Sequence, residues 1–324
     1  MIRCGKLLFE RRLISGWGGN LSCRDGRKGF VITGQHRALG FLAPRDLVRV
    51  KEDGRPVRKE QHASSETPMH MAVYAGTDAQ AIVHVHPPMV LAFSLANEIF
   101  TPVSYEEQYT LGEVPVIAQD TPTVTKPEKV VELLKYNPVV IIKAHGTIAI
   151  GKTLQEAFLF TDLLEEAVHC QFFRSRIAAA PLPLVKQKAP LATLANATAG
   201  FTLFTAEHME ALVEAANRDS EFRALGAETA LTTSLTLHEE ETHSAWTVRY
   251  VNGEITELGS GDGGEFMISG KTEWWHAVFK ARIDAFRAAQ QGKLILKRGD
   301  LSQLARWYKP FQRAFALWQT IPIY

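Results

Sequence analysis

The sequence predicts an α/β domain followed by a small α+β domain. Three observations lead to this expectation. Before about residue 180, short apolar strand-like runs alternate with helical stretches. Three prolines and then small residues, Pro181 to Gly200, interrupt that alternation. Beyond them, β-like runs follow one another before helices return. The expected parts are 1–182 as the first domain, 183–199 as an extended linker and 200–324 as the second domain.

The first domain opens its strands with Gly29 to Thr33, a short apolar run closed by Gly34. Ser64 to Tyr74 reads as a helix start, with Ser64 as cap, Glu66 in the first turn and Pro68 just inside. Ala81 to His86 is a strand stopped by Pro87 and Pro88, and Pro138 to Lys143 is another, followed by Ala144-His145-Gly146. Thr153 to Arg174 reads as a long amphipathic helix with Glu165 and Glu166 on its polar side.

In the second domain Glu207 to Asn217 reads as a helix. Leu231–Leu237, Ser244–Val251 and Glu254–Leu258 read as strands, the last two joined by a tight turn at Asn252-Gly253. Glu265–Ser269 is a fourth strand, Thr272–Lys280 and Ile283–Gln291 are helices, and Leu294–Lys297 is a fifth strand before a helical tail.

Composition narrows the function classes. The 36 basic and 35 acidic residues nearly cancel, which argues against a nucleic-acid footprint or a polybasic membrane anchor. No run of 18 apolar residues predicts a membrane span. Cys4, Cys23 and Cys170 form no CxxC pair or disulfide framework, and residues 1–14 carry charge throughout, unlike a signal peptide. The expected location is the cytoplasm.

His84-Val85-His86 is the sharpest chemical feature. On a strand, residues i and i+2 share a face, so two imidazoles can converge on one ion. Taken alone, the pair also reads as ordinary surface or core histidines. His145 ends another apolar strand, and Glu66 at a helix start also reads as a simple dipole-favoured cap. Together, three imidazoles and one carboxylate suit a catalytic divalent cation. Zinc is the first expectation, and manganese and iron are compatible with the same ligands. A carboxylate that leaves the metal when substrate arrives can serve as a base beside a carbonyl that the metal polarises.

Five segments occur in order: Gly19-Asn20-Leu21-Ser22, Ile32-Thr33-Gly34, Ser64-Ser65-Glu66, His84-Val85-His86-Pro87 and Ala144-His145-Gly146. Together they resemble the class II aldolase/adducin family over about residues 5 to 180. The resemblance implies an α/β/α sandwich around a central, mostly antiparallel sheet. It implies metal binding by His84, His86, His145 and Glu66, with Glu66 also moving the proton and Tyr105 as a second catalytic group. Gly19, Asn20, Thr33, Gly34, Ser64 and Ser65 match the pocket for a substrate phosphate. One departure concerns that pocket, where Ile32-Thr33-Gly34-Gln35 is shorter than the family's Ile-Thr-Pro-Ser/Thr-Gly. The family resemblance also implies a homo-oligomer, with a tetramer favoured.

The second domain, especially Gly292-Lys293-Leu294 through Gly299-Asp300, resembles sterol-carrier-protein-2-like domains. That resemblance implies a five-stranded sheet, an apolar ligand and a tunnel lined by Trp274, Trp275, Phe279, Phe286, Trp307, Phe311, Phe315 and Trp318. Ordinary core is the other reading of these aromatics. The expected function is a divalent-metal-dependent aldolase (a lyase) acting on a sugar phosphate or related hydroxy-carbonyl compound. The alternatives are an epimerase or decarboxylase on the same metal, or a lipid-binding or scaffold protein with a vestigial aldolase domain.

Overall fold

The structure, a computed structural model, describes residues 1–26, 29–119, 124, 127–177 and 200–324. They belong to two compact units, Met1–Leu182 and Pro183–Tyr324. The linker expected over 183–199 lies outside the described residues.

The first unit runs α1 (Ile2–Glu10), β1 (Asn20–Arg24), β2 (Phe30–Thr33), β3 (Leu47–Val50), α2 (Thr67–Gly76), β4 (Ala81–Val85), α3 (Pro88–Ser94), β5 (Ile99–Phe100), α4 (Tyr105–Thr110), β6 (Val114–Ile117), α5 (Glu128–Leu134), β7 (Val139–Ile142), β8 (Gly146–Gly151) and α6 (Leu154–Ile177). Its strands form one eight-stranded sheet in the order β3-β2-β1-β4-β8-β7-β6-β5. Neighbours are antiparallel except β6 with β7.

Successive residues of a strand face opposite sides of the sheet, and each face carries its own core. Val83, Val85, Val139 and Ile141 pack with Leu8, Val90 and Leu164 from α1, α3 and α6. Ile82, Val140 and Ile142 pack with Met69, Val73, Val130 and Leu134 from α2 and α5. Burial on both faces is why β7 reads as an unbroken apolar run and why β4 departs from one only at His84. The layers form the α/β/α sandwich that the family resemblance implies.

Two local expectations are corrected. Helix α2 starts at Thr67, later than the serines predict. Thr67 N–H donates to Ser64 O at 3.1 Å and Glu66 N–H to Ser64 Oγ at 3.2 Å, so Ser64 and Ser65 form the turn before the helix. Glu66 occupies the N-cap position, yet its side chain makes no capping bond. The second correction concerns Glu165, which is buried rather than on a polar side. Its two carboxylate oxygens accept from Met89 N–H and Val90 N–H, each at 3.0 Å. The first amides of α3 lack intrahelical partners, and Pro87 and Pro88 bring no side-chain acceptor, so α6 supplies one.

The second unit contains α7 (Ala206–Arg218), α8 (Ser220–Glu228), β9 (Thr233–Glu239), β10 (Ala245–Val251), β11 (Glu254–Ser260), β12 (Phe266–Gly270), α9 (Thr272–Phe279), α10 (Ala285–Gln290), β13 (Leu294–Arg298), α11 (Leu301–Ala305) and α12 (Tyr308–Trp318). The five strands form a sheet in the order β11-β10-β9-β12-β13, with β9 and β12 parallel. Val251 pairs with Glu254, leaving Asn252 and Gly253 as a two-residue loop with φ of 52° and 84°. Positive φ at both positions is the requirement of a type I′ hairpin turn. Helix α8 is an addition to the sequence reading; Asp219 caps it by accepting from Phe222 N–H at 2.7 Å.

Of the eight aromatic residues expected around a tunnel, Trp275, Phe279, Phe311, Phe315 and Trp318 are buried. Trp274, Phe286 and Trp307 are half-buried. The indole N–H groups of Trp275, Trp307 and Trp318 donate to His238 O, Thr229 O and Leu212 O, so these rings are satisfied within the protein core. Among the described residues, no helix is long and apolar enough to cross a membrane.

Candidate metal centre

His84 lies on β4 and His86 just beyond its end, while His145 sits in the turn joining β7 to β8. Ala144 takes φ of 56° in that turn. Its N–H donates to Ser94 Oγ at 3.0 Å, which ties the turn to the end of α3. The register of β4 and β8, with His84 opposite Ile148 and Val85 opposite Thr147, brings the three rings together. Their centroids lie 4.8, 4.9 and 5.1 Å apart. One nitrogen from each histidine falls within 4.8 Å of the others. Nitrogens bound to one tetrahedral ion at about 2.0–2.1 Å stand roughly 3.4 Å apart, so the donors need only a modest inward adjustment. Glu66 lies outside this group.

The surroundings prepare the rings for an ion. Thr147 O can only accept, so the 2.8 Å contact assigns the proton to His84 Nδ1 and leaves the Nε2 lone pair available. His86 Nε2 is buried without a hydrogen-bond partner among the described residues. The Gln119 amide lies 3.1 Å from His145 Nδ1. Burial, with His86 and His145 adding to it, pushes the pKa of His84 well below the ordinary imidazole range. Burial and His145 push His86 down to about 4, and burial lowers His145. Neutral imidazoles are the ligating form. An orphaned buried nitrogen beside two further neutral imidazoles fits a divalent cation.

Two glycines set the position of the His86 ring. A Cβ on Gly18 would stand 2.8 Å from His86 Nδ1, and one on Gly146 would stand 2.6 Å from His86 Cδ2. Ser94, Gln119 and Gly18 escaped the sequence reading. The Gly16-Trp17-Gly18-Gly19 run hints at a close approach for Gly18, but nothing in the sequence marks Ser94 or Gln119.

The expected anion-binding residues divide by what they do. Asn20 pairs with His84 across β1 and β4, so their side chains share one face of the sheet. Gly19, at φ of 72°, allows β1 to approach His84 O, which a Cβ would meet at 2.6 Å. Thr33 Oγ1 accepts from Leu21 N–H at 3.2 Å. Gly34 N–H donates to Asp46 O at 2.7 Å and Ser64 N–H to Thr33 O at 3.1 Å. These donors hold the loops together, while Ser65 is exposed just before Glu66.

Glu66 Oε1 accepts from Val124 N–H at 3.4 Å, whereas Oε2 is buried without a partner among the described residues. Burial raises its pKa, and the Val124 bond opposes that only in part. One turn along α2, buried His70 bonds Asn20, the strand neighbour of His84, so the start of α2 lies toward the histidine end of the sheet. Tyr105 opens α4 and is 75 % exposed. No hydrogen bond or ring contact among the described residues joins it to the histidines.

The sequence profile of the class II aldolase and adducin N-terminal domain matches residues 1–172. The chain belongs to the class II aldolase and adducin family. This class II aldolase-family chain is 31% identical over 183 residues to an L-fuculose phosphate aldolase of Methanococcus maripaludis, covering 53% of this chain and 93% of the relative. It is 28% identical over 193 residues to a methylthioribulose-1-phosphate dehydratase of Gluconobacter oxydans, covering 54% and 90%. The crystal structure of L-fuculose-1-phosphate aldolase from Thermus thermophilus is similar with a TM-score of 0.51 and 33% identity, covering 56% of this chain and 95% of that one. A crystal structure of sterol carrier protein 2 is a structural neighbour over 37% of this chain, at 20% identity and a TM-score of 0.34.

Proposed function

We propose that this protein is a divalent-metal-dependent lyase of the aldolase type, acting on a sugar phosphate or a related hydroxy-carbonyl compound. The observation that carries this reading is the convergence of three neutral imidazoles, one with an orphaned buried nitrogen. His84, His86 and His145 would hold the ion, with zinc the first choice and manganese or iron compatible. When bound, such a cation supplies Lewis acidity toward a substrate carbonyl.

The protein's own groups divide the remaining work. Glu66 takes and returns the proton on the carbon beside the carbonyl through Oε2, and it would serve as a fourth ligand to a bound ion before substrate arrives. Its raised pKa brings the carboxyl closer to working pH, which suits acid–base exchange. Asn20, with Gly19, Thr33, Gly34, Ser64 and Ser65 around it, frames the anionic end of the substrate. The start of α2 adds a favourable field for negative charge there. In the bond-forming direction Tyr105 donates its proton to the aldehyde oxygen that becomes a hydroxyl, and in cleavage it takes that proton back; its exposure suits a site completed by a neighbouring copy in a tetramer.

Residues 1–182 form the catalytic part in this reading, and 200–324 form a sterol-carrier-protein-2-like binding module for an apolar ligand. We place the protein in the cytoplasm. A dehydratase is the second reading, favoured by the methylthioribulose-1-phosphate dehydratase relative. Loss of water beside a carbonyl uses the same proton transfer at Glu66.

Elemental analysis of the purified protein, compared with His84→Ala, tests the metal. About one ion per chain that is lost in the variant is expected. Retro-aldol cleavage and dehydration assays on ketose 1-phosphates then separate the two reactions. A chain that retains no zinc, manganese or iron when these are supplied would overturn both readings.

A further inference from the structure

A buried hydrogen-bond chain runs toward the histidine group from the side of α2. Tyr74 OH lies 2.8 Å from Ser22 Oγ, Ser22 Oγ lies 2.6 Å from His70 Nδ1, and His70 Nε2 lies 2.5 Å from Asn20 Oδ1. Ser22 and His70 are fully buried, and Tyr74 and Asn20 nearly so. A neutral imidazole carries a single proton, so the chain can run in only two directions.

In the first direction, Tyr74 donates to Ser22, Ser22 to His70 Nδ1, and His70 Nε2–H to Asn20 Oδ1. Every proton from the Tyr74 hydroxyl to the His70 ring then has an acceptor. In the opposite direction the Asn20 amide is turned over and donates to His70 Nε2, and the chain ends on a Tyr74 hydroxyl whose own proton finds no acceptor among the described residues. A buried polar group without a partner is penalised, so the first direction prevails. Asn20 Nδ2 is then the free end. It has no partner among the described residues, and it is not among the buried unpartnered atoms, so it keeps contact with the solvent side. The β1–β4 register places Asn20 on the same face as His84.

We propose that Tyr74, Ser22 and His70 form a positioning relay that fixes the polarity of the Asn20 amide and presents Nδ2 as a donor to an anionic oxygen of the substrate. This deepens the reading of the site as one for a phosphorylated hydroxy-carbonyl compound and rests on it. None of the three relay residues touches the substrate. They act through Asn20, where an amide of either polarity would occupy the same space.

Two measurements on the full chain test the relay. Nitrogen-15 shifts of the histidine rings report the tautomer directly, and His70 is expected in the Nε2–H form. Inorganic phosphate titrations compare wild type, Tyr74→Phe, Asn20→Ala and the double variant. Tyr74→Phe is expected to weaken phosphate binding about tenfold and to have no further effect once Asn20 is alanine. An Nδ1–H tautomer in the wild type, or unchanged phosphate affinity in folded Tyr74→Phe, would overturn the proposal. Metal content of the same samples keeps the two readings apart. A protein that holds metal on its histidines yet binds no phosphate refutes the relay's role toward substrate and leaves the lyase reading intact. A protein without metal that shows the tautomer and the phosphate response sustains the relay and sinks the lyase.

Discussion

Replacing Gly146 by alanine tests how tightly the fold positions the metal ligands. The added Cβ would stand 2.2 Å from Val85 O and 2.6 Å from His86 Cδ2. Comfortable carbon contacts lie at about 3.5 Å, so roughly 1 Å of movement is needed on each side. Val85 is held in register opposite Thr147 and resists retreat. The His86 ring must therefore take up much of the displacement. A shift of about 1 Å is half a metal–nitrogen bond of about 2.0–2.1 Å. Changes to the groups that merely support a ligand cost about 10–100-fold in metal affinity. The expectation is a loss near the upper end, about 100-fold, or roughly 2.7 kcal/mol. Overpacking adds a stability loss of about 1–3 kcal/mol. Chelator competition for zinc, with circular dichroism to confirm folding, measures the effect. A folded Gly146→Ala protein with wild-type zinc affinity would refute the argument that this glycine positions His86.

Two further outcomes follow from the buried groups. His70 and His86 are pushed down by burial to about 3 and about 4, below the roughly 6.5 of an unfolded histidine. The unfolded chain thus binds more protons below that value. Stability of the metal-free protein is full above about pH 6.5 and falls as pH drops toward the folded pKa values, by up to about 1.4 kcal/mol per pH unit for each histidine. Urea unfolding at about pH 7.5 and about pH 5 should show the lower midpoint in acid, and equal midpoints would contradict the assignment. Glu165→Ala leaves the Met89 and Val90 amides of α3 without their acceptor. The expected loss is about 1–3 kcal/mol in urea unfolding, and a change within error would show that another group satisfies them.

Much of this protein is legible in one dimension because its signals are local. The spacing of His84 and His86 on a strand, the prolines after them, and the positive-φ pair Asn252-Gly253 each depend on neighbouring residues. Apolar runs such as Val139–Ile142 announce strands buried on both faces. The tertiary structure decided matters that depend on residues distant in sequence. Sheet pairing brings Ile148 opposite His84, and with it His145 toward a residue 61 positions earlier in the chain. Glu165 looks like part of a solvated helical face, because nothing near it in sequence shows that α3 lacks a cap. Glu66 looks like a helix cap until the turn at Ser64 takes up the backbone hydrogen bonds and leaves Oε2 unpartnered. His70 is one unremarked histidine in a helix, and its part in orienting Asn20 exists only because α2 packs across β1. Local sequence sets backbone preference and side-chain period, whereas the partner of each buried polar atom is set by which elements the fold lays against one another.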